Sequence, residues 1–268
     1  MTMLHSIVYG EAQMEKPNLV LLHGWGAHSG VWQTVLPMLR ENFRVICIDL
    51  PGHGNSPELA DNSIESWAKA VLAVAPEKAI WLGWSLGGLV GQRAAGIANG
   101  RIEKLILLAS TPKFVASTEW HDAVDEKTFQ AFHAEVVREP KKSLLRFIAI
   151  QTRGSETASE DSRLLRKTLL DPAPNSAALD AGMKLLLESD LRKELNEIVC
   201  PVLVLGGERD NLVTKKALSI IGGLFMNAEY YDIKRAGHAP FLSHPNDFIK
   251  VLIDFCFKNN ADEYKEAT

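Results

Sequence analysis

A serine lies between two glycines in the segment Gly83–Gly87, whose sequence is GWSLG. The apolar run Ala79–Gly83 before it is typical of a buried strand, and the residues after it are typical of a helix. A sharp strand-to-helix turn exposes a serine hydroxyl, and glycines are needed on either side because side chains there would collide across the turn. We therefore predict that Ser85 is a nucleophile, which needs a neighbouring base to take its proton.

The helix predicted after Ser85 contains four glycines, Gly87, Gly88, Gly91 and Gly96. Each costs about 1 kcal/mol relative to alanine in a helix interior. A helix with so little intrinsic stability is expected where the backbone must lie very close to the sheet.

The best candidate for the base is His238, which lies in a Gly-His-Ala-Pro turn just past a late strand-like run. His244, six residues further on, is interpreted as a helix-entry or packing residue. His121 and His133 fall in a helical region, where they could face solvent.

Asp210 is the best candidate for the carboxylate that orients the imidazole, because it follows the apolar run Val202–Gly206. The chief alternative is Asp49, which lies in the run Val45–Leu50 and is interpreted as ordering the turn at residues 51–54. The chain order is then serine, aspartate, histidine. That order is typical of hydrolases whose serine lies on a strand-to-helix turn.

An ester hydrolase of this kind needs two fixed backbone amides that bind the oxyanion of the transition state. Leu86, at the start of the predicted helix, supplies one amide. The second is expected from Trp25, because the loop His23–Gly26 follows the run Leu19–Leu22 and glycines flank the tryptophan.

Short apolar runs alternate with glycine-bearing turns and helical patterns along most of the chain. This alternation predicts the α/β class, with a mostly parallel central sheet covered by helices on both faces. Ligands bind at the carboxyl ends of such strands. The runs are Leu19–Leu22, Val45–Leu50, Ala79–Gly83, Leu105–Ala109, Val202–Gly206 and the more polar Glu229–Ile233.

Residues 112–189 show helical periodicity without a strand-like run, and Pro140, Pro172 and Pro174 interrupt them. We predict an all-helical lid over residues 112–189, above a core formed by residues 1–111 and 190–268. The alternative is that these helices only cover one face of the sheet.

Composition narrows the class of protein further. The 268 residues carry 29 basic and 33 acidic side chains, and the net charge of -4 argues against sequence-independent nucleic-acid binding. Three cysteines without C-x-x-C spacing exclude a disulfide framework and a zinc knuckle. The first residues lack the pattern of a signal peptide. The longest run without a charged residue is Pro17–Leu39, and the segment HGWGAHSG breaks it in the middle, which argues against a membrane span. We expect a cytoplasmic protein, a monomer, with no membrane or nucleic-acid partner.

Together these segments resemble the α/β-hydrolase superfamily over essentially the whole chain. Within it, the chain is similar to the family of pimeloyl-[acyl-carrier protein] methyl ester carboxylesterases of biotin synthesis. The segments that carry this closer resemblance are Ala79–Val90, Phe147–Thr152 and His238–Pro245. The resemblance implies an α/β-hydrolase fold and hydrolysis of the methyl ester at the far end of a pimeloyl chain on acyl-carrier protein, with no metal and no cofactor.

The resemblance also implies which residues contact the substrate. Trp84, Phe147 and Leu86 are expected to line an apolar acyl channel, in which each buried methylene contributes about 0.8 kcal/mol. Gln151 is expected to add a polar contact. The full predicted substrate-binding set is Trp25, Ser85, Leu86, Phe147, Gln151 and His238.

Residues 138–167 carry eight basic and four acidic side chains, a local charge of +4 in a protein of -4. Arg138, Lys142 and Arg146 have the spacing of one helix face. The resemblance implies that Lys142, Arg146 and Arg163 dock an acidic acyl-carrier protein. It also leads us to expect another basic residue near Ser159. The alternative is an ordinary solvated surface.

Two other functions are compatible with these residues. One is a short-chain carboxylesterase, thioesterase or C–C hydrolase that uses the same machinery on small-molecule substrates, since fold and triad define chemistry better than substrate. The other is a non-catalytic receptor for a small molecule on the same scaffold.

Overall fold

The computed structural model describes residues 3–10, 16–171 and 174–258. In these residues one sheet contains seven strands in the order β1-β3-β2-β4-β5-β6-β7. The strands are β1 (Ser6–Tyr9), β2 (Asn18–Leu22), β3 (Arg44–Ile48), β4 (Ala79–Trp84), β5 (Ile102–Leu108), β6 (Val202–Gly207) and β7 (Ala228–Ile233).

Helices flank this sheet. They are α1 (Leu36–Asn42), α2 (Ile64–Val74), α3 (Leu86–Ile97), α4 (Glu126–Arg138), α5 (Pro140–Thr152), α6 (Ala158–Leu169), α7 (Ser176–Glu188), α8 (Lys215–Gly222), α9 (Pro240–Ser243) and α10 (Pro245–Phe257). Among the described residues, no helix combines the length and apolar character that crossing a membrane would require.

Burial on both faces explains why four of the six predicted strands, β2, β3, β4 and β6, form. Every residue of β4 and β6 is buried, and β2 and β3 are buried beyond their first residue. These strands pair in parallel, so the predicted mostly parallel sheet is confirmed. The sequence analysis missed β1, which pairs antiparallel with β3 at the sheet edge. Its four residues are at most half-buried and therefore form no continuous apolar run.

The glycines of α3 show how closely this helix approaches the sheet. A Cβ at Gly87 would collide with the carbonyl oxygen of Leu22, and one at Gly88 would collide with Ser110. The expected close approach is confirmed at these two positions. The expectation of close approach is wrong at Gly96, where a Cβ would meet nothing within 4 Å.

Four helices, α4 to α7, lie between β5 and β6. The two ends of this insertion lie side by side, because the Leu191 amide donates a hydrogen bond to the Pro112 carbonyl at 3.0 Å. Pro140 begins α5 and thereby separates it from α4. The prediction that Arg138 shares one helix face with Lys142 and Arg146 is therefore wrong, since Arg138 belongs to α4.

Candidate active site

Ser85 lies on the sharp turn between β4 and α3. Its backbone has φ 53° and ψ -116°, a conformation that residues with a side chain rarely adopt. The Ser85 amide donates to the Leu108 carbonyl at 2.9 Å, and the Ser110 hydroxyl donates to the Ser85 carbonyl at 2.7 Å. A Cβ at Gly83 would collide with the backbone of Gly87. These two hydrogen bonds, together with the close packing of Gly83 against Gly87, hold the turn in this conformation.

Asp210 and His238 form a buried pair at the ends of β6 and β7. The Asp210 Oδ2 and His238 Nδ1 atoms are 2.7 Å apart, and both side chains are almost completely buried. Asp210 Oδ1 accepts hydrogen bonds from the amides of Leu212 (2.7 Å) and Val213 (3.1 Å). An ionised carboxylate held in this way keeps the proton of a neutral imidazole on Nδ1, so that Nε2 can accept another proton.

The backbone of His238 is held against Trp84, the residue before Ser85. The Trp84 indole donates to the His238 carbonyl at 2.8 Å, and the two rings pack with centroids 5.9 Å apart. The His238 amide donates to the Gln151 carbonyl at 3.2 Å. His238 Nε2 is buried and has no hydrogen-bond partner within the described ranges.

Asp49 has a different role from Asp210. Its carboxylate accepts hydrogen bonds from the Ser29 amide at 2.7 Å and the Asn55 amide at 3.0 Å. Burial alone would raise the pKa of Asp49, but the interaction with His23 and these amide donors lower it. The interpretation of Asp49 as a residue that orders the turn after β3 is confirmed.

Two buried histidines join the loop after β2 to the loop after β3. His23 Nε2 accepts from the Leu50 amide at 2.9 Å, and His53 Nε2 accepts from the Gly26 amide at 3.3 Å. Both imidazoles must be neutral to accept these bonds. Burial lowers the pKa of His23 to about 3 and that of His53 to about 4.

The amides of Trp25 and Leu86 are both available for an external acceptor. In the part of the chain that the structure describes, neither takes part in a backbone hydrogen bond. Leu86 is the first residue of α3, so its amide lies at the positive end of the helix dipole. The buried Trp25 indole donates to the Leu179 carbonyl of α7 at 2.8 Å.

Ser85 opens into a cavity of about 360 Å³, which we call the central cavity. Its wall is mostly apolar and comes largely from the inserted helices, and its volume lies in the range typical of small-molecule sites. The lining residues are Ser85, Phe114, Val124, Thr128, Phe129, Ala131, Phe132, Glu135, Arg146, Phe147, Ile150, Met183, Leu186 and Leu212.

Of the predicted substrate-binding residues, Ser85 and Phe147 line the central cavity directly. Trp25, Leu86, Gln151 and His238 are buried and are not among the lining residues. The same holds for Trp84, which packs against Trp32 and Phe241. The Trp25 ring packs edge-on against Phe147, with centroids 4.9 Å apart.

The Gln151 side chain is 1% exposed. Neither its amide nitrogen nor its oxygen has a hydrogen-bond partner among the described residues.

Sequence reasoning missed most of the cavity wall. Phe129 and Phe132 fall within the helical periodicity of residues 112–189, and their i, i+3 spacing was the available signal for one apolar face. Leu212, Met183 and Leu186 offered no comparable signal, because their approach to the cavity depends on how distant elements pack.

The three predicted docking residues lie on the inserted helices and are exposed. Lys142 pairs with Glu139 at 2.8 Å, and Arg146 pairs with Glu135 at 2.5 Å. Two of these cations therefore already have acidic partners within the chain.

The remaining histidines lie apart from this site. His244 is the N-cap residue directly before α10, as expected for a helix-entry residue. His121 is exposed. His133 does not simply face solvent, since its Nε2 lies 2.6 Å from Asp180 Oδ1 and joins α4 to α7.

The chain matches the family described as alpha/beta hydrolase fold over residues 17–245. It is 41% identical to the pimeloyl-[acyl-carrier protein] methyl ester esterase of Pectobacterium carotovorum subsp. carotovorum over 239 residues, covering 89% of this chain and 93% of that protein. It is 36% identical to the protein of the same name from Yersinia enterocolitica, covering 97% of this chain and 100% of that protein.

Solved structures show the same fold. The esterase from Exiguobacterium antarcticum has a TM-score of 0.83 at 19% identity and covers 94% of both chains. A hydrolase from Pseudomonas aeruginosa has a TM-score of 0.78 at 25% identity and covers 95% of this chain and 94% of that one. The chain therefore belongs to the α/β-hydrolase family and, within it, to the family of pimeloyl-[acyl-carrier protein] methyl ester esterases.

Proposed function

We propose that this protein is a cytoplasmic serine carboxylesterase that hydrolyses the methyl ester of a pimeloyl chain carried on acyl-carrier protein, releasing methanol. The names of relatives at 36–41% identity support the substrate. The buried hydrogen bond between Asp210 and His238 is the observation that carries the chemistry.

In the proposed mechanism Ser85 Oγ attacks the ester carbonyl carbon while His238 Nε2 accepts the hydroxyl proton. Asp210 orients the imidazole and stabilises the imidazolium that forms. The amides of Trp25 and Leu86 bind the oxyanion of the tetrahedral intermediate, and each such donor is worth about 10²–10³ in rate.

His238 then gives its proton to the departing methoxide, so methanol leaves and an acyl-enzyme remains on Ser85. Water attacks this ester with His238 again acting as base, which releases the free carboxylate and restores Ser85. The apolar wall around Phe147 favours this sequence because it holds the methylene chain and excludes bulk water.

We further propose that Lys142, Arg146 and Arg163 contribute to docking of the acidic carrier protein. Their exposure on helices whose side chains also line the cavity supports this role. Docking by exposed charges changes mainly the association rate and is weakened by salt.

The experiment compares methyl pimeloyl-carrier protein with a panel of simple methyl esters, in the native enzyme and in an Arg146→Glu/Arg163→Glu variant. We expect the variant to lose at least about tenfold in kcat/KM on the carrier-bound substrate and much less on small esters.

The control for this experiment is a variant with a single charge reversal of the same kind elsewhere on the surface. Lys250→Glu alters an exposed residue of α10 and should affect neither class of substrate strongly. Equal losses on both substrates in the double variant would count against carrier docking. A native enzyme that prefers the simple esters would favour a general esterase.

A further inference from the structure

The central cavity contains one cation and one anion among its described lining residues, Arg146 and Glu135. Apart from these two, only Ser85 and Thr128 bring polar side chains to the wall. An ionic substituent on a ligand in this cavity would therefore interact mainly with this one pair of charges.

Arg146 and Glu135 lie at the solvent end of the cavity and are bound to each other. Arg146 Nη1, on α5, lies 2.5 Å from Glu135 Oε2, on α4. The Arg146 side chain is 60% exposed and that of Glu135 is 35% exposed, whereas Ser85 is only 2% exposed. The wall of the cavity therefore includes both a buried serine and a solvent-exposed ion pair.

A second glutamate at the junction of α4 and α5 has different partners. Glu139 lies 2.8 Å from Lys142 and 3.5 Å from Arg138, measured between the charged atoms of each pair. It does not line the central cavity. The two carboxylates therefore differ in which cation they neutralise.

The ion pair has a consequence for small anionic ligands. A half-ester of a dicarboxylic acid whose ester reaches Ser85 would extend its carboxylate toward the solvent end, where Arg146 is the cation it could bind. Glu135 already occupies that guanidinium and repels a second carboxylate.

We infer that Glu135 is a specificity-determining residue that excludes small carboxylate-ended esters and dicarboxylate products by neutralising Arg146. A carrier protein is affected less, because its acidic surface also meets exposed cations outside the cavity, such as Arg163 and Arg166. The inference rests on the proposed function in one respect, since it takes Ser85 as the site of ester cleavage.

The test measures kcat/KM on monomethyl pimelate, an anion, and on dimethyl pimelate, which is neutral, and takes the ratio of the two. Glu135→Gln should raise this ratio about fivefold at low ionic strength, the effect of one partly exposed charge pair. The gain should shrink in about 0.5 M salt, where charges are screened over a few ångströms.

Glu139→Gln is the matched control, because it removes the same charge at the same helix junction without freeing the cation of the cavity. It should leave the ratio as in the native enzyme. Adding Arg146→Gln to Glu135→Gln should abolish the gain. An unchanged or lower ratio in Glu135→Gln, or an equal rise in Glu139→Gln, would overturn the inference.

A binding measurement separates this inference from the proposed function. Calorimetry of the pimelate dianion with the Ser85→Ala protein should show about fivefold tighter binding when Glu135→Gln is added. If the native enzyme hydrolyses neither free ester, this titration decides the inference alone, whereas the proposed function is decided separately on the carrier-bound substrate. Equal affinity in the two proteins would contradict it.

Discussion

At position 85 the backbone has a φ of 53°, and such a conformation persists only where the surrounding structure holds it in place. Here the Leu108 carbonyl and the Ser110 hydroxyl bind the two sides of the Ser85 peptide. The strained turn directs a small polar side chain into a mostly apolar cavity. Predictions are most specific at this scale, because individual side-chain atoms perform individual steps of the proposed reaction.

Replacing the proposed nucleophile should separate activity from folding. Ser85→Ala is expected to lower kcat by about 10⁴-fold or more, since the acyl-enzyme of the proposed mechanism forms on the hydroxyl that this change removes. Its melting temperature should stay within a few degrees of the native value. Steady-state hydrolysis of a chromogenic short-chain ester and a thermal melt measure the two quantities, and near-native turnover would show that another group is the nucleophile.

The two buried aspartates should respond differently to the same change. Asp210→Asn is expected to lower kcat by about 10⁴-fold with little change in stability, because the amide favours the wrong imidazole tautomer. Asp49→Asn is expected to reduce stability instead, since it weakens the bonds from Ser29 and Asn55. Kinetics and urea unfolding of both variants test this contrast, and a larger loss of kcat in Asp49→Asn would reverse the two roles.

At the scale of elements, burial explains what the sequence could predict. β4 and β6 were recognised because all of their residues are buried, whereas β1 was missed because it lies at the edge and is only half-buried. The sequence analysis placed Arg138 and Lys142 on one helix, although Pro140 indicated that a new helix begins between them. The pairing of Glu135 with Arg146 could not be read from either helix alone, because it depends on how α4 packs against α5.

Two glycines of the same helix provide a test of its packing. Gly87→Ala should destabilise the protein by about 1–3 kcal/mol, because the new methyl group would collide with the Leu22 carbonyl. Gly96→Ala should instead stabilise it by about 0.5–1 kcal/mol, since nothing lies within 4 Å of the added atom. Urea unfolding of both variants is the measurement, and equal effects would contradict the close approach of α3 to the sheet.

At the scale of the whole molecule, two buried neutral histidines link the stability of the fold to the loops around the site. His23 and His53 join the loop after β2, which contains Trp25, to the loop after β3. Their low pKa values mean that the folded protein binds fewer protons than the unfolded chain at mildly acidic pH. The free energy of unfolding should therefore decrease as the pH is lowered, already at pH values above those at which the carboxylates titrate.

The direction of this effect and the pH range in which it occurs follow from the protonation of the two histidines in the folded and the unfolded protein. Above about pH 7.5 both histidines are neutral in the folded and the unfolded protein, so they add no pH dependence. As the pH falls toward about 4, only the unfolded chain binds these protons and the free energy of unfolding decreases. Each histidine should contribute roughly 2 kcal/mol of loss at pH 5.

Urea unfolding at about pH 7.5 and pH 5 measures this loss. In His53→Gln the difference between the two free energies of unfolding should be smaller by roughly 2 kcal/mol than in the native protein. An identical difference in both proteins would show that His53 does not couple stability to pH.

The most direct test of the central claim is covalent labelling of the native protein with a fluorophosphonate, followed by peptide mass spectrometry. The account predicts one phosphonyl adduct, on Ser85, that forms rapidly in the native enzyme, is strongly slowed in Asp210→Asn and is absent in Ser85→Ala. Failure to label the native protein, or an adduct on a different residue that survives in Ser85→Ala, would contradict it.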